Sequence, residues 1–351
     1  MRIAQVAPLA EPVPPRLYGG TERVVAYLAD ELIRLGHDVT LFASGDSCTA
    51  ARLVPLCDHG LRLTMQPRDA LALHFLMIER VARMERQFDV IHFHVAPLHF
   101  PVARRLHTPH ITTLHGRLDL PDLQELFQEY RDMRVVSISN AQRMPLPDAT
   151  WFGTVYHGIP DTALHIHETR GRYFAFLGRI SPEKRVDRAI AIAKACKYPL
   201  RIAAKVDPVD AEYFERDIRP LLDDPLVTYE GEIGHEEKND FLGNATALLF
   251  PIDWPEPFGL VMIEALACGT PVVAFRGGSV DEIIEDGITG FVVETLEDAI
   301  AAAQRTHTLE RRACRASFER RFTASRMAAD YLDLYRAVAN ATEPLQTVTA
   351  S

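Results

Sequence analysis

The chain has 351 residues, of which 47% are hydrophobic and 25% are charged, so it is long enough for two domains, each with its own core. The formal net charge is −10, and residues 1–160 contain 16 arginines, no lysine and 17 acidic residues. Neither half is basic, which argues against a nucleic-acid partner. The arginine-only first half leaves peripheral contact with an anionic membrane open.

The cysteines are few and scattered. The five positions show no paired metal-ligand spacing, which indicates reduced thiols: Cys48, Cys57, Cys196, Cys268 and Cys314. The sequence begins on a strand-like run, and no apolar run approaches about 18–20 residues. We therefore expect no signal peptide and no membrane span, and a cytoplasmic location or one at the inner membrane face.

Short β-branched runs alternate with helical patterns through the first half. Strands are predicted over 2–7, 38–44, 90–94, 110–115 and 134–139. Helices are predicted near 21–35, 70–87, 98–107 and 119–131. Buried strands joined by crossover helices form parallel sheets. The first half therefore resembles a doubly wound α/β domain.

The second half repeats this alternation after a linker near 160–171. Its strands are predicted near 173–178, 201–205, 227–230, 247–251 and 272–275. Its helices are predicted near 183–197, 210–222, 236–243, 259–268 and 279–285, and a further helical segment closes the chain over 309–340. The pattern predicts two facing Rossmann-like domains, 1–160 and 161–317, with a crossing helix over 318–340 that packs back on the first. Their shared ligand site is expected in the interdomain cleft.

The densest motif of the chain reads WPEPFGLVMIEA over 254–265. It predicts a strand end, then a turn stiffened by two prolines, then the start of a helix. The free N–H groups of that helix start favour an anion. Glu256 precedes the helix and Glu264 lies inside it, so both carboxylates can face one cleft and accept hydrogen bonds from sugar hydroxyls. The alternative for Glu264 is a local cap or salt bridge.

A second strand-turn-helix segment carries two cations, Arg179 and Lys184. Fixed cationic donors in a dry cleft stabilise the charge that develops on a departing diphosphate. The alternative is a solvated cationic helix start, and we expect Arg185 to belong to the surface.

The motif over 254–265 resembles the E-x7-E motif of the retaining family 4 glycosyltransferases (glycosyl transferases group 1), and Gly269-Thr270-Pro271 and Gly277-Gly278 continue that pattern. The resemblance spans nearly the whole chain and implies the two-domain GT-B fold. It implies that Glu256 contacts the hydroxyls of the donor sugar and that Glu264 contacts the nucleotide ribose.

Further roles follow from the same resemblance. The backbone of Phe258, Gly259 and Leu260 would contact sugar and phosphates, and Arg179 and Lys184 would bind the diphosphate. Glu256, Arg179, Lys184 and His115 are the catalytic candidates. The stretch 157–160 resembles a family segment only in part, so it is interpreted as a hinge without a catalytic role.

Two weaker signals lie in the first half. Gly19-Gly20 between the first strand and helix resembles the family's glycine loop, where positive φ angles would shape an anion-facing turn; a plain turn is the alternative. His115 ends a strand where related enzymes keep a histidine facing the donor sugar, and a core histidine is the alternative. His92 and His94 share a strand face, but a zinc site is not expected because no clear third ligand accompanies them.

These observations predict a hexosyltransferase that uses a UDP- or GDP-sugar, needs no metal cofactor and retains anomeric configuration. The sequence leaves the acceptor open among sugars, lipid-linked glycans and small molecules. The acceptor side of the cleft is expected to be formed by loops 45–70 and 94–101, where His59, Arg62 and Arg68 could contact an anionic acceptor. A non-catalytic nucleotide-sugar-binding scaffold and a GT-B isomerase or phosphorylase are the alternatives. An oxidoreductase is disfavoured because neither half carries the dinucleotide fingerprint.

Overall fold

The computed structural model describes residues 1–17, 19–62, 68–169 and 171–341, so residues 63–67 of the predicted acceptor loop lie outside the described part. The first sheet is entirely parallel, in the order β3-β2-β1-β4-β5-β6-β7. Its strands are β1 (Arg2–Val6), β2 (Asp38–Ala43), β3 (Arg52–Pro55), β4 (Val90–Phe93), β5 (His110–Thr113), β6 (Val135–Ser137) and β7 (Trp151–Thr154).

Helices cover both faces of this sheet. They are α1 (Gly20–Arg34), α2 (Ala70–Met84), α3 (Phe100–Ala103) and α4 (Pro121–Glu129). The sequence patterns missed β3 and β7, which are the edge strands of the sheet and are only partly buried. An edge strand lacks the continuous apolar run that identified the central strands.

The second sheet is also parallel, in the order β10-β9-β8-β11-β12-β13. Its strands are β8 (Tyr173–Arg179), β9 (Leu200–Lys205), β10 (Val227–Gly231), β11 (Ala245–Phe250), β12 (Val272–Phe275) and β13 (Gly290–Val293). Its helices are α5 (Val186–Cys196), α6 (Ala211–Tyr213), α7 (His235–Gly243), α8 (Leu260–Ala267), α9 (Val280–Ile283) and α10 (Leu296–Arg305). The edge strand β13 and helix α10 were not predicted.

Three predicted helices differ from the structure. The helix predicted near 98–107 is only the four-residue α3. The segment predicted over 210–222 is a series of short turns, with α6 between a 3₁₀ turn at Pro208–Asp210 and π and 3₁₀ turns that end at Leu221. Pro220 cannot donate a backbone hydrogen bond, which interrupts a regular helix. The helix predicted from 183 begins at Val186, because Arg185 adopts a left-handed conformation with φ 53° after a 3₁₀ turn.

The closing segment forms two helices, α11 (Arg311–Arg321) and α12 (Ala324–Asn340). Phe318 of α11 is buried in the core beneath the second sheet, next to α8. The hydroxyl of Thr323 accepts the N–H of Arg326 and caps α12. Helix α12 then crosses to the first sheet, where Tyr331 packs in one cluster with Ile3. Residues 318–321 thus complete α11, and the crossing helix begins at Ala324.

The fold prediction is confirmed: two parallel, doubly wound α/β units face each other and a C-terminal helix crosses between them. In each sheet the strand order reverses direction at one point, between β1 and β4 and between β8 and β11. Ligands of doubly wound sheets bind beyond the carboxyl ends of the strands at such a point. Among the described residues, no helix combines the length and the apolar character that a membrane span requires.

Candidate active site between the two sheets

A cavity of about 460 Å³ lies between the two sheets, beyond the carboxyl ends of β5, β8, β9 and β11. Its wall brings together every residue that the sequence analysis selected for the site: Gly19, Gly20, His115, Arg179, Lys184, Glu256, Phe258, Gly259, Leu260 and Glu264. These residues come from four separate segments of the chain. The volume lies within the range of small-molecule binding sites.

Lys184 and Glu256 form a close ion pair in this wall. Nζ of Lys184 donates to Oε2 of Glu256, and the side chains are only 14% and 9% exposed. Nε1 of Trp254 donates to the same oxygen at 3.0 Å, and the Lys184 ammonium lies 4.9 Å from the centre of a Trp254 ring. The Glu256 carboxylate is thus held by two donors, and the lysine by a carboxylate and an aromatic face.

The turn that carries Glu256 is held by hydrogen bonds from both units. Ser139, after β6, donates to the carbonyl of Pro257 at 2.7 Å, and Ser279 donates to the carbonyl of Phe258 at 2.8 Å. Gly278 has φ 57°, and a Cβ there would lie 2.1 Å from the carbonyl oxygen of Glu256. The Gly277-Gly278 pair therefore lets a second loop approach the back of this turn.

Glu264 pairs with a lysine that sequence reasoning did not select. Lys238 of α7 donates to Oε1 of Glu264 at 2.7 Å, and the glutamate side chain is 4% exposed. Burial acts to raise the pKa of Glu264, but Lys238, with help from Arg23, outweighs it and holds the pKa below its ordinary value. Glu264 is therefore an ionised hydrogen-bond acceptor at neutral pH.

Arg179, at the end of β8, is surrounded by carboxylates. It contacts Oε1 of Glu183 at 3.2 Å and Oδ2 of Asp207 at 3.3 Å. Lys205 also contacts Asp207, at 3.0 Å. Arg179 and Lys205 both line the cavity, as do Lys184 and Lys238. Arg185 instead pairs with Asp187 and Asp253 and is not among the residues that line the cavity.

The glycine loop lines the cavity but not in the predicted conformation. Gly19 has an extended backbone with φ 170°, and Gly20 is the first residue of α1; neither adopts the positive φ that was expected. A side chain at position 19 would meet Pro15, whose Cβ would lie 2.6 Å from the added Cβ. Gly19 is therefore required by close packing of the preceding loop rather than by backbone handedness.

His115 lies on the first-sheet side of the cavity, next to a second histidine. Its ring stacks on that of His157 with centroids 5.2 Å apart, and His157 makes an edge contact with Phe258. Burial lowers the pKa of His115 to about 3. Burial, together with His115 and Arg326, holds the pKa of His157 well below its ordinary value. Both imidazoles are therefore neutral hydrogen-bonding groups at physiological pH.

No group of three or more histidine, cysteine, aspartate or glutamate side chains in the described ranges is arranged to hold a metal ion. His92 and His94 are buried and hydrogen-bonded within the first unit. The cation that contacts Glu256 is the side chain of Lys184.

Two protein-family models match the sequence of this chain. The family model described as Glycosyltransferase Family 4 matches residues 18–211, more than half of the chain. The model described as Glycosyl transferases group 1 matches residues 164–321. The chain belongs to the family 4 glycosyltransferases. Its two facing units correspond to the GT-B fold of such enzymes, and the predicted resemblance is confirmed.

Two curated relatives match part of this chain. An uncharacterized 41.2 kDa protein in the cps region of Klebsiella pneumoniae is 31% identical over 171 residues, which are 46% of this chain and 45% of that protein. D-inositol 3-phosphate glycosyltransferase of Mycobacterium tuberculosis is 34% identical over 179 residues, 46% of this chain and 37% of the enzyme. The match thus spans less than half the length of these relatives.

Solved structures share the fold over almost the entire chain. AviGT4, a glycosyltransferase involved in avilamycin A biosynthesis, is 26% identical with a TM-score of 0.72 and coverage of 97% of this chain and 98% of that chain. Sucrose-phosphate synthase from Thermosynechococcus elongatus has a TM-score of 0.79 at 18% identity, covering 97% and 100%. Anabaena HepE, solved with UDP and glucose, has a TM-score of 0.72 at 17% identity, covering 96% and 100%.

Among the residues of the cavity wall that the sequence analysis did not select are Glu22, His157, Lys238 and Trp254. His157 was interpreted as part of a hinge because its segment departs from the family pattern. Lys238 lies in α7, whose sequence HEEKNDFLG is mostly charged or polar and carries no motif that indicates a site. Trp254 was part of the quoted motif, and an indole donor beside a carboxylate was a signal available for it.

Proposed function

We propose that this glycosyltransferase moves a hexose from a UDP- or GDP-sugar to a hydroxyl acceptor with retention of anomeric configuration. The observation that carries the proposal is the Lys184–Glu256 ion pair in a cavity whose wall also contains Arg179 and Glu264. A nucleotide sugar offers a diphosphate to the cations and hydroxyl groups to the carboxylates. The cavity wall contains both kinds of partner.

The diphosphate is proposed to bind between Arg179 and Lys184. Both side chains now contact carboxylates, Lys184 with Glu256 and Arg179 with Glu183 and Asp207. The diphosphate of a nucleotide sugar, which carries two negative charges in all, competes with these single carboxylates for the cations. When Lys184 turns to the phosphate, Glu256 is released to accept hydroxyl groups of the sugar, with Trp254 still holding one oxygen.

The nucleoside end is proposed to lie at Glu264. Its ionised carboxylate accepts hydrogen bonds from vicinal ribose hydroxyls in the same way that acidic residues of dinucleotide-binding folds do. Lys238 keeps the carboxylate charged and fixes one of its oxygens. Glu256 and Glu264 would thus separate sugar recognition from nucleoside recognition along one turn and helix.

Transfer requires three coupled changes at the sugar. The bond between C1 and the phosphate oxygen breaks, the acceptor oxygen forms a new bond to C1, and the acceptor proton passes to the departing phosphate oxygen. When acceptor and leaving group share one face of the sugar, configuration is retained.

Arg179 and Lys184 stabilise the charge that develops on the leaving group, which is why we propose that no divalent metal is needed. Transfer that EDTA abolishes would contradict this part.

UDP and UDP-glucose are the first ligands to test, because Anabaena HepE, which shares the fold, was solved with each of them. Thermal melting in the presence of UDP, GDP, ADP and NAD reports binding, since a ligand of the native state raises the melting temperature by mass action. We expect stabilisation by UDP or GDP, and its loss in Glu264→Gln. The control is Lys194→Ala on α5, an exposed lysine paired with Asp224 outside the cavity wall.

Retention is tested on the product rather than on the enzyme. The anomeric proton coupling of the first product formed, measured by NMR before any mutarotation, should match that of the α- or β-configured donor. Release of nucleoside diphosphate only in the presence of an acceptor separates transfer from isomerase chemistry. Binding of a nucleotide sugar without turnover over a broad acceptor panel would favour the scaffold alternative.

Contact with a membrane surface is proposed for helix α2. Three large apolar side chains on it, Leu71, Phe75 and Leu76, are more than half exposed, and the exposed arginines Arg80 and Arg83 follow on the same helix. Apolar side chains beside cations suit an anionic lipid surface. Cosedimentation with phosphatidylglycerol vesicles, lost in Phe75→Ser/Leu76→Ser, supports the proposal; equal recovery with and without vesicles contradicts it.

A further inference from the structure

A continuous chain of hydrogen-bonded side chains connects the crossing helix α12 to the cavity. Nε2 of His115 lies 2.8 Å from Nδ1 of His94, and Nε2 of His94 lies 2.8 Å from Oε1 of Gln5. Nε2 of Gln5 donates to the hydroxyl of Tyr335 at 2.9 Å. This series of hydrogen bonds therefore starts at a cavity residue, passes the carboxyl end of β4 at His94 and strand β1 at Gln5, and ends on α12.

The chain continues beyond Tyr335 within the first unit. The Tyr335 hydroxyl lies 2.8 Å from Nδ1 of His92, and Nε2 of His92 lies 2.7 Å from Oγ1 of Thr113. That oxygen lies 2.9 Å from the hydroxyl of Tyr331. Every member of this second part is fully buried. A buried polar group without a partner costs about 1–3 kcal/mol, so the two tyrosines of α12 are tied to the polar groups of the sheet.

The orientation of the Gln5 amide sets the direction of these hydrogen bonds, with its NH₂ group toward Tyr335 and its oxygen toward His94. His94 is neutral, because burial, with the neighbouring imidazoles, holds its pKa well below the ordinary value. A neutral imidazole has one N–H and one acceptor nitrogen. Oε1 of Gln5 can only accept, so Nε2 of His94 carries the hydrogen and its Nδ1 accepts. His115 must then donate from Nε2, which leaves its Nδ1 as an acceptor.

This acceptor nitrogen has no protein partner. Nδ1 of His115 is buried and makes no hydrogen bond to any part of the chain that the structure describes, although His115 lines the cavity. A hydroxyl group that reaches it from the cavity would remove the cost of that unpaired nitrogen. A sugar supplies such hydroxyl groups, whereas a nucleoside diphosphate alone places its hydroxyls on the ribose at Glu264.

We propose that Gln5, anchored by Tyr335 of α12, fixes the tautomer of His115 through His94, so that His115 accepts a hydrogen bond from a hydroxyl of the transferred sugar. Gln5, His94 and Tyr335 are thus positioning residues, and the C-terminal helix takes part in donor recognition without touching the donor. The sugar-binding half of this inference rests on the proposed function; the tautomer half does not.

The test compares two tyrosines of the same helix. Tyr335→Phe removes the hydroxyl that accepts the N–H of the Gln5 amide. Without that partner the amide can turn and present N–H to His94, which reverses the tautomers of His94 and His115. Tyr331→Phe is the matched control, since Tyr331 is equally buried but lies at the far end of the chain beyond Thr113. Long-range ¹H–¹⁵N NMR of the whole protein with labelled histidine reads the tautomers, and His115→Gln assigns the resonance.

We expect an Nε2-protonated His115 in the wild type and in Tyr331→Phe, and a mixed or Nδ1-protonated ring in Tyr335→Phe. An Nδ1-protonated His115 in the wild type, or an unchanged tautomer in Tyr335→Phe, would overturn the positioning role. UDP-glucose, but not UDP, should shift the Nδ1 resonance, and kcat/KM should fall about tenfold in Tyr335→Phe with the Kd for UDP unchanged. No shift with a sugar donor that the protein demonstrably turns over would refute the sugar contact; absence of turnover with every donor would refute the proposed function and leave the tautomer result standing.

Discussion

Lys238 and Glu264 form a buried ion pair in the cavity wall, with Nζ of the lysine 2.7 Å from Oε1 of the glutamate. The lysine belongs to α7 and the glutamate to α8, so the pair fixes one helix against the other at the proposed nucleoside site. Removing one partner of such a pair leaves a buried charge without compensation, which is more damaging than removing both.

The first prediction concerns Lys238→Met, which keeps the length of the side chain and removes its charge. In the wild type the pKa of Glu264 is held below its ordinary value, so Glu264 stays ionised between about pH 7 and pH 5 and adds no pH dependence of its own to nucleotide binding. The terminal phosphate of UDP titrates in this range equally for every variant, so the wild type is the reference. Without Lys238 the effect of burial prevails and the pKa of Glu264 rises. Nucleotide affinity should then fall as the pH is lowered through that range, which calorimetric titration with UDP measures.

The stability of this variant should follow the opposite trend. A carboxylate whose pKa in the folded state exceeds its unfolded value destabilises the protein when ionised, so the free energy of unfolding of Lys238→Met should recover as the pH falls. The double variant Lys238→Met/Glu264→Gln is the control and should show neither trend. A pH-independent loss of stability in the single variant would mean that the lysine acts only through packing.

The second prediction concerns Lys184→Ala. Loss of one preorganised cation at the leaving group should lower kcat by about 10²–10³-fold. The same change leaves Glu256 without a cationic partner among the described residues. Lys194→Ala removes a lysine of α5 that is 50% exposed and should leave turnover unchanged. Steady-state kinetics with a sugar donor checks both variants, and wild-type kcat in Lys184→Ala would remove the lysine from the mechanism.

The motifs predicted the cavity wall because each lies at the carboxyl end of a buried parallel strand. Arg179 ends β8, Glu256 follows β11 and His115 follows β5, and parallel strands bring such ends to one edge of a sheet. Periodicity identified the central strands for the same reason, since they are apolar on both faces. The edge strands β3 and β7 carry no such run, whereas β13 is apolar over 291–293 and was missed all the same.

Partners from other elements could not be predicted in this way. Lys238 meets Glu264, and Gln5 meets Tyr335 across 330 residues of sequence, but nothing local to Lys238, Gln5 or Tyr335 indicates these contacts. The conformation of Gly19 was missed for a related reason. Its requirement comes from the proximity of Pro15 rather than from its own dihedral angles.

The third prediction separates fold stability from catalysis at Arg311. Its guanidinium donates to the carbonyls of Ala245 and Gly243 at 2.9 and 2.6 Å and to the Thr270 hydroxyl at 2.7 Å. Lysine cannot reproduce this fork of donors. Arg311→Lys should lower the free energy of unfolding by about 2–4 kcal/mol with KM for the donor unchanged.

The matched control is the neighbouring Arg312, which is 79% exposed and pairs only with Glu168 among the described residues. Arg312→Lys should change stability by less than about 0.5 kcal/mol. Denaturant unfolding measures both variants. Equal stability of the two would show that the carbonyl contacts of Arg311 contribute little beyond those that water supplies.

The fourth prediction compares two glycines with positive φ. Gly278 has φ 57° and lies against the backbone of Glu256, where an added Cβ would meet the carbonyl oxygen at 2.1 Å; Gly287 has φ 74° and no atom within 4 Å of an added Cβ. Gly287→Ala should therefore cost only the backbone conformation, about 1–2 kcal/mol in the free energy of unfolding. Gly278→Ala should cost more, because the turn that carries Glu256 must also move.

Since that turn orients the Glu256 carboxylate, Gly278→Ala should raise KM for the sugar donor, while Gly287→Ala should leave it unchanged. If both variants lose stability equally and keep the same KM, the close contact behind Glu256 does not position the carboxylate.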